Sequence, residues 1–122
     1  MIVGIGVDIC EIARIAGAME KAGFLARFFT QEERDYIAAR AQTGAQSAAG
    51  LFAAKEAMLK ALGTGLSIPM RDVGVSHDDK GAPLACLSGA AQARLCELGG
   101  RRMLLSISHD GGMAVAMAIA EG

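Results

Sequence analysis

The stretch that decides the fold is Leu51 to Gly65, LFAAKEAMLKALGTG. Its apolar residues recur every three or four positions, and Ala, Leu, Met, Lys and Glu favour helices, so the stretch predicts a helix with one buried face. Gly63 stands where a helix commonly ends in a left-handed residue, a conformation that glycine adopts without strain. The helix is therefore expected to end near Leu62.

A carboxylate and an ammonium group share one ridge of this helix. Phe52, Glu56 and Lys60 are four residues apart, which places their side chains one above another beside the apolar face. Such a pair is either a solvated ion pair worth about 0.2–0.5 kcal/mol or two groups directed at a common ligand. The helix alone is compatible with both interpretations.

Composition narrows the class of protein. The 122 residues suffice for one domain, 52% of them are hydrophobic, and the 16 glycines permit close packing within the chain or between copies of it. The net charge of -1 argues against a nucleic-acid or membrane-surface binder, because both need a positive excess. No charged leader precedes an apolar run and no apolar stretch could span a bilayer, so we expect a cytoplasmic protein.

The cysteines do not indicate a site. Cys10, Cys86 and Cys96 are odd in number and lack CxxC spacing, so neither a disulfide framework nor a zinc site is predicted. All three are expected to be small buried hydrophobic residues.

The N-terminal half predicts one strand followed by helices. Met1 to Ile9 is short, apolar and rich in β-branched residues, which indicates a strand buried on both faces. Helical spacing continues from Glu11 to Ala22, and Thr30 and Glu33 form a capping box that begins another helix. The small and polar run at 41–50 is expected to be a loop before the central helix.

The C-terminal half predicts two hairpins with a helix between them. The hairpins pair 72–77 with 83–87 and 103–109 with 113–120. Ser88 is expected to cap the helix. Because strands that follow one another directly pair antiparallel, the chain predicts a single-domain α+β fold with helices packed on a mainly antiparallel sheet.

Polar residues at two strand ends suggest chemistry. Asp8 could cap the following helix or, if buried, must be hydrogen-bonded, paired or bound to a metal. His109 precedes a glycine turn, where a structural, exposed or catalytic role is open. If Asp8 and Glu56 converge, they supply the two oxygen ligands with which Mg2+ is held beside substrate phosphates. Lys60 and the backbone of Gly63-Thr64-Gly65 would then contact a phosphate.

A small positive surface is predicted near the N-terminus. Arg14, Lys21 and Arg27 are opposed there by a single acid, Glu20. The three cations would either contact an acidic partner or form an ordinary solvated face.

Five segments resemble the holo-[acyl-carrier-protein] synthases, the short bacterial class of 4'-phosphopantetheinyl transferases. They are GVDICEIARI at 6–15, RFFTQEERDY at 27–36, FAAKEAMLKALGTG at 52–65, DVGVSHDDKGAP at 72–83 and SISHD at 106–110. The resemblance extends over nearly the whole chain, and the central motif is specific.

The resemblance implies a fold, a reaction and a site. The reaction is Mg2+-dependent transfer of 4'-phosphopantetheine from coenzyme A to a serine of an apo acyl carrier protein, which releases adenosine 3',5'-bisphosphate. Asp8 and Glu56 would hold the metal and, with Lys60, form the catalytic set. The coenzyme A contacts implied by the motifs are Lys60, Gly63, Thr64, Gly65, Pro83, Ser108 and His109.

The resemblance also implies partners. The family forms homotrimers with active sites between protomers, and the acidic carrier protein would dock on Arg14, Lys21 and Arg27. The serine proton needs an acceptor, for which both Glu56 and a water held by the metal are candidates.

Two cations of the family pattern are missing, and this leaves a second function open. Leu51 stands where an arginine commonly precedes the central aromatic residue, and Ala82 replaces the lysine of a G-K-P turn. A charge-assisted contact is worth about 1.5–3 kcal/mol, so both losses would weaken binding of an anion. The alternative is a transferase-like module that binds coenzyme A or carrier protein without turnover, and a purely structural subunit is the third hypothesis.

Overall fold

The computed structural model, which covers residues 1–122, contains five strands and five helices. In chain order they are β1 (Ile2–Glu11), α1 (Ile12–Met19), α2 (Phe24–Phe28), α3 (Gln31–Ala39), α4 (Gly44–Leu62), β2 (Val73–His77), β3 (Pro83–Leu87), α5 (Gly89–Glu97), β4 (Arg102–Asp110) and β5 (Met113–Glu121). Short 3-10 turns occupy Ala41–Thr43, Gly65–Ser67 and Met70–Asp72. None of these helices combines the length and apolar character needed to cross a bilayer.

All strand pairs are antiparallel, and they divide into two sheets. A three-stranded sheet has the order β1-β5-β4, and β2 pairs only with β3. The predicted α+β class with helices packed on antiparallel strands is confirmed. The strands form two sheets and not one, because β3 lies against the edge strand β4 without pairing with it, while β2 packs on α4.

The central helix α4 packs between the larger sheet and the smaller elements. It contacts β1 and β5 on one side and α3 and β2 on the other. On the sheet side, Ala114, Ala116, Ala118 and Ala120 of β5 are at most 1% exposed. Because alternate strand residues point to the same face, the register places Asp8 of β1 beside Ala116 and directs it towards α4.

Two helical segments were not predicted. Residues 44–50 belong to α4 and are not a loop, because Ala48 and Ala49 are fully buried and small enough for close packing against the core. Tertiary packing therefore outweighs their weak local pattern. The short helix α2 follows Gly23, which has a φ of 83°.

Two predictions about burial were wrong. β1 is buried on only one face, since Ile5, Val7 and Ile9 are 51–62% exposed on the other. Cys10 is buried as predicted, but Cys86 and Cys96 are exposed, because alternation in β3 and the outer side of α5 direct them to solvent.

The helix starts show which caps form. The capping box is confirmed, because the amide of Glu33 donates to Thr30 Oγ1 at 3.2 Å and the amide of Thr30 donates to Glu33 Oε1 at 2.8 Å. Ser88 begins α5 but makes no side-chain cap; the amide of Ala90 donates instead to Asp72 Oδ2 at 3.1 Å. Asp8 caps no helix, because β1 continues to Glu11.

Candidate functional site

A cluster of charged side chains lies where β1 passes the C-terminal half of α4. Lys60 Nζ is 3.2 Å from Asp8 Oδ1 and donates a second bond to the carbonyl of Val7 at 2.9 Å. The side chain of Lys60 is 54% exposed and that of Asp8 16%. The ion pair is therefore open to solvent on the lysine side, where a ligand can reach the ammonium group.

Glu56 joins this cluster from one turn earlier on α4. Burial, and then the negative charge of Asp8, raise the pKa of Glu56, whereas Lys60 and Arg14 act to lower it. The carboxylates of Asp8 and Glu56 therefore lie close enough to repel each other. A bound cation would relieve that repulsion.

The donor set fits a hard cation that is shared with a substrate. The structure contains no cluster of three or more His, Cys, Asp or Glu side chains that could hold a metal ion. The site therefore offers two carboxylates and not a complete set of protein ligands. Mg2+ is usually held by one or two carboxylates, with phosphate oxygens and waters filling its other positions. Asp8 and Glu56 match this requirement.

Cys10 and Arg14 border the same cluster. The Cys10 thiol is buried and donates to the carbonyl of Ala49 at 3.4 Å. Burial, followed by the charge of Asp8, raises the pKa of Cys10, so the thiol stays protonated and unreactive. Arg14 is exposed on α1 and acts electrostatically on both Cys10 and Glu56.

The turn after α4 supplies backbone groups next to the cluster. Gly63 has a φ of 72° and ends the helix as predicted, and Gly65 has a φ of 57°. Between them, Thr64 Oγ1 is buried and has no hydrogen-bond partner. A ligand oxygen or nitrogen at this turn would satisfy that hydroxyl.

Apart from this charged cluster, a cavity lies beside the N-terminal half of α4. It has a volume of about 150 Å³ and is lined by residues that include Tyr36, Ser47, His77, Gly81 and His109. The ring Nε2 of His109 is 3.1 Å from the carbonyl of Gln46. Pro83, which faces His77 across the hairpin, adjoins the same region.

Two residues that line this cavity, Tyr36 and His77, were not identified as site residues from the sequence. Tyr36 stacks on His77 with ring centroids 3.9 Å apart, and an Nη atom of Arg40 donates to the Tyr36 hydroxyl at 2.7 Å. Burial, and then the positive charge of Arg40, lower the pKa of His77. The four-residue spacing of Tyr36 and Arg40 was the available signal, but the pairing with His77 links residues 41 positions apart in sequence and has no local signature.

The predicted site residues form two groups in one chain. Asp8, Glu56 and Lys60 come together, whereas His109 lies at the cavity beside Gly50. About 9 Å of helix separates Gly50 from Glu56. Ser108 points to the opposite face of β4 from His109, because neighbouring strand residues alternate. A single chain therefore does not place Ser108 and His109 in one cavity.

The basic residues are also divided. Arg14 lies beside the carboxylates, whereas Lys21 and Arg27 line a groove with Phe24 and Phe28. The guanidinium of Arg27 lies 5.1 Å from the centroid of the Phe28 ring.

The outer face of the larger sheet exposes apolar side chains. These residues are 41–62% exposed and are Ile5, Val7, Ile9, Leu104 and Met117. The register brings Val7 opposite Met117 and Met117 opposite Ser106, so they form one continuous surface, here called the outer sheet face.

Comparison with known proteins identifies the family. The model of the 4'-phosphopantetheinyl transferase superfamily matches residues 4–117. The holo-[acyl-carrier-protein] synthase of Treponema denticola is 42% identical over 123 residues, with 100% of both chains covered. The crystal structure of the Neisseria meningitidis holo-[acyl-carrier-protein] synthase has a TM-score of 0.87 at 37% identity and covers 100% of both chains. The chain therefore belongs to the 4'-phosphopantetheinyl transferase superfamily.

Its relatives within this superfamily are holo-[acyl-carrier-protein] synthases. The Helicobacter pylori synthase, whose structure is a complex with coenzyme A, has a TM-score of 0.80 at 35% identity and covers 96% of this chain and 99% of its own. The predicted family, fold class and transferase activity are confirmed by these full-length similarities.

Proposed function

We propose that the protein transfers 4'-phosphopantetheine from coenzyme A to a serine of an apo acyl carrier protein, with Mg2+ as cofactor. The products are the holo carrier protein and adenosine 3',5'-bisphosphate. The observation that carries the proposal is the convergence of Asp8, Glu56 and Lys60 between β1 and α4, in a chain related over its full length to synthases of this type. Three free cysteines are consistent with the reducing cytoplasm as its location.

Asp8 and Glu56 would hold the metal. The bound ion would offset the negative charge that develops on the diphosphate as its bond breaks. Lys60, which is half exposed, can turn its ammonium group from Asp8 towards a phosphate oxygen. The serine proton would be accepted by Glu56 or by a water that the metal holds, both of which lie at this cluster.

Coenzyme A would be held by residues from both groups. Lys60, Gly63, Thr64 and Gly65 would contact its phosphates, and the unpartnered Thr64 hydroxyl supports that assignment. Pro83, Ser108 and His109 would contact the remainder of the molecule. Ser108 and His109 lie on opposite faces of β4. A coenzyme A molecule in contact with both would therefore lie between two copies of the chain, with Ser108 from one copy and His109 from the other.

A homotrimer provides such a site and covers the outer sheet face. Contiguous exposed apolar surface commonly marks an interface between proteins. We expect the M117E variant, which adds a charge to this face, to sediment as a smaller species than the unchanged protein in analytical ultracentrifugation. L66E, at a residue that is 76% exposed and outside this face, is the matched control and should assemble normally. Equal sedimentation of M117E and the unchanged protein would contradict the interface.

The carrier protein would dock on Arg14, Lys21 and Arg27. Acidic helical surfaces are attracted to such cations, mainly with an effect on the association rate. Arg14 lies closest to the carboxylates, and the groove at Arg27 and Phe28 adds apolar contact area. The proposed docking surface would therefore extend from Arg27 to Arg14, next to the carboxylates of Asp8 and Glu56.

Intact-mass spectrometry tests the function directly. An apo acyl carrier protein incubated with the protein, coenzyme A and Mg2+ should gain the mass of one phosphopantetheine group, and EDTA should prevent the gain. Several folded apo carriers that gain no mass would contradict the proposal.

One observation favours the binding-module alternative. Leu51 is 2% exposed and lines the His109 cavity, so that wall carries no cation. Calorimetric binding of coenzyme A without any product would establish this alternative.

A further inference from the structure

Next to Glu56, helix α4 carries a lysine that is completely buried. Lys55 and its partner Glu33 are the only buried charged residues of the chain, with side chains 0% exposed. Lys55 Nζ lies 2.8 Å from Glu33 Oε1. No step of the proposed reaction uses either residue, although they lie one position from a proposed metal ligand.

The ammonium group of Lys55 has all three of its donors satisfied. Besides Glu33, it donates to the carbonyl of Met70 at 2.9 Å and to the carbonyl of Val73 at 3.2 Å. Three acceptors at defined positions fix the ammonium group in space. Lys55 therefore ties the middle of α4 to the segment that leads into β2.

The carboxylate of Glu33 is equally well satisfied. Its Oε1 also accepts from the amide of Thr30 at 2.8 Å, and its Oε2 accepts from the amide of Val75 at 2.7 Å. The pair thus connects the start of α3, the middle of α4 and strand β2. We call these hydrogen bonds the Glu33–Lys55 network.

On its other side, α4 is tied to β1 by the exposed Lys60, which bonds to Asp8 and to the carbonyl of Val7, and by the Cys10 thiol, which donates to the carbonyl of Ala49. The rest of that side lies on β1 and β5 through alanine and glycine, whose side chains form no hydrogen bonds. Consecutive helix residues are about 100° apart around the axis, so a turn of α4 that moves Lys55 also swings Glu56 relative to Asp8. The network is consequently suited to fix the direction of Glu56.

We propose that the Glu33–Lys55 network is a positioning device that holds α4 in the rotation at which Glu56 faces Asp8. This inference rests on the proposed function, because it assigns to Glu56 and Asp8 a shared divalent cation. Stability alone does not explain a buried ion pair, since apolar residues of similar volume often serve as well or better. Orientation of a neighbouring ligand does explain it.

Mn2+ affinity measured by electron paramagnetic resonance, without substrate, tests the positioning role. We expect K55M to bind Mn2+ about tenfold more weakly than the unchanged protein, with a fall in kcat, at a temperature where circular dichroism shows both to be folded. L95A is the matched control, because Leu95 is 2% exposed on α5 and its truncation lowers stability away from the site. L95A should keep the parental Mn2+ affinity.

A second variant, E33Q, tests the same role if K55M folds incompletely. E33Q leaves Lys55 its two carbonyl acceptors, removes the charge of its partner and replaces one accepting oxygen of that side chain with an amide nitrogen. It therefore weakens the network without deleting it, and it should fold and weaken Mn2+ binding about threefold. If K55M or E33Q binds Mn2+ as L95A does, the network is structural only and the inference is overturned. If the unchanged protein itself takes up no Mn2+, the proposed metal site fails, and the inference fails with it.

Discussion

The E56Q variant is expected to lose phosphopantetheine transfer by at least about 100-fold while remaining folded. Glutamine has nearly the size of glutamate but carries no charge, so it cannot act as an anionic metal ligand or accept a proton from serine. The remaining carboxylate, Asp8, is already paired with Lys60 at 3.2 Å. Without Glu56, the charges of Asp8 and Lys60 cancel each other, so no net negative charge remains at the cluster to bind a cation.

The fold of E56Q should be at least as stable as that of the unchanged protein at neutral pH. Folding raises the pKa of Glu56 through burial and the charge of Asp8, which means that the charged form is disfavoured in the folded state. Any stability that Glu56 contributes is present at low pH and is lost as the pH rises through its folded pKa. The neutral amide does not titrate, so the melting temperature at neutral pH should not fall.

Initial rates from intact-mass spectrometry, Mn2+ affinity and thermal unfolding by circular dichroism check this result together. E97Q removes a carboxylate of the same type from the exposed side of α5 and is the matched control. It should transfer phosphopantetheine at the parental rate. An E56Q protein that retains activity would show that Glu56 is neither the metal ligand nor the proton acceptor.

The central helix illustrates how far the sequence determines the fold. From Leu51 to Leu62, strong helix formers and the terminal Gly63 agree, and the helix ends there as predicted. Residues 44–50 contain two glycines and a serine, which disfavour a helix locally. They become helical because Ala48 and Ala49 pack in the core, and such long-range packing has no local signal.

Strand β1 shows a different limit. Its apolar residues on both faces predicted complete burial, yet Ile5, Val7 and Ile9 are exposed in the single chain. Hydrophobic pattern reports that a surface prefers to leave water, but not whether the same chain or another copy covers it.

The candidate site could be predicted only where its chemistry depends on local spacing. Glu56 and Lys60 share a helix ridge and Asp8 is the one carboxylate in the apolar stretch 1–9, so their convergence could be anticipated. The Glu33–Lys55 pair could not, because its members are 22 residues apart and charged residues in helices are usually solvated. Only the three-dimensional structure shows that both side chains are buried.

Gly6 is the position on β1 where the fold leaves least room for a side chain. A Cβ atom added there would lie only 1.9 Å from the carbonyl oxygen of Ala57 and 2.8 Å from the amide nitrogen of Ala61. Both are backbone atoms of α4, which cannot move aside as a flexible side chain can. Alanine at this position must therefore push α4 away from the sheet, and with it Glu56 away from Asp8.

The G6A variant is accordingly expected to lose about 3 kcal/mol of stability or more, with a clearly lower melting temperature and reduced transfer activity. G17A is the matched control, since Gly17 is exposed in α1 and an added Cβ atom would meet nothing within 4 Å. Alanine is the better helix former, so G17A should gain about 0.5–1 kcal/mol. Thermal and urea unfolding measure both variants. The same substitution of glycine by alanine is thus expected to lower stability at position 6 and to raise it at position 17. A G6A protein that melts like the parent would disprove the close contact between β1 and α4.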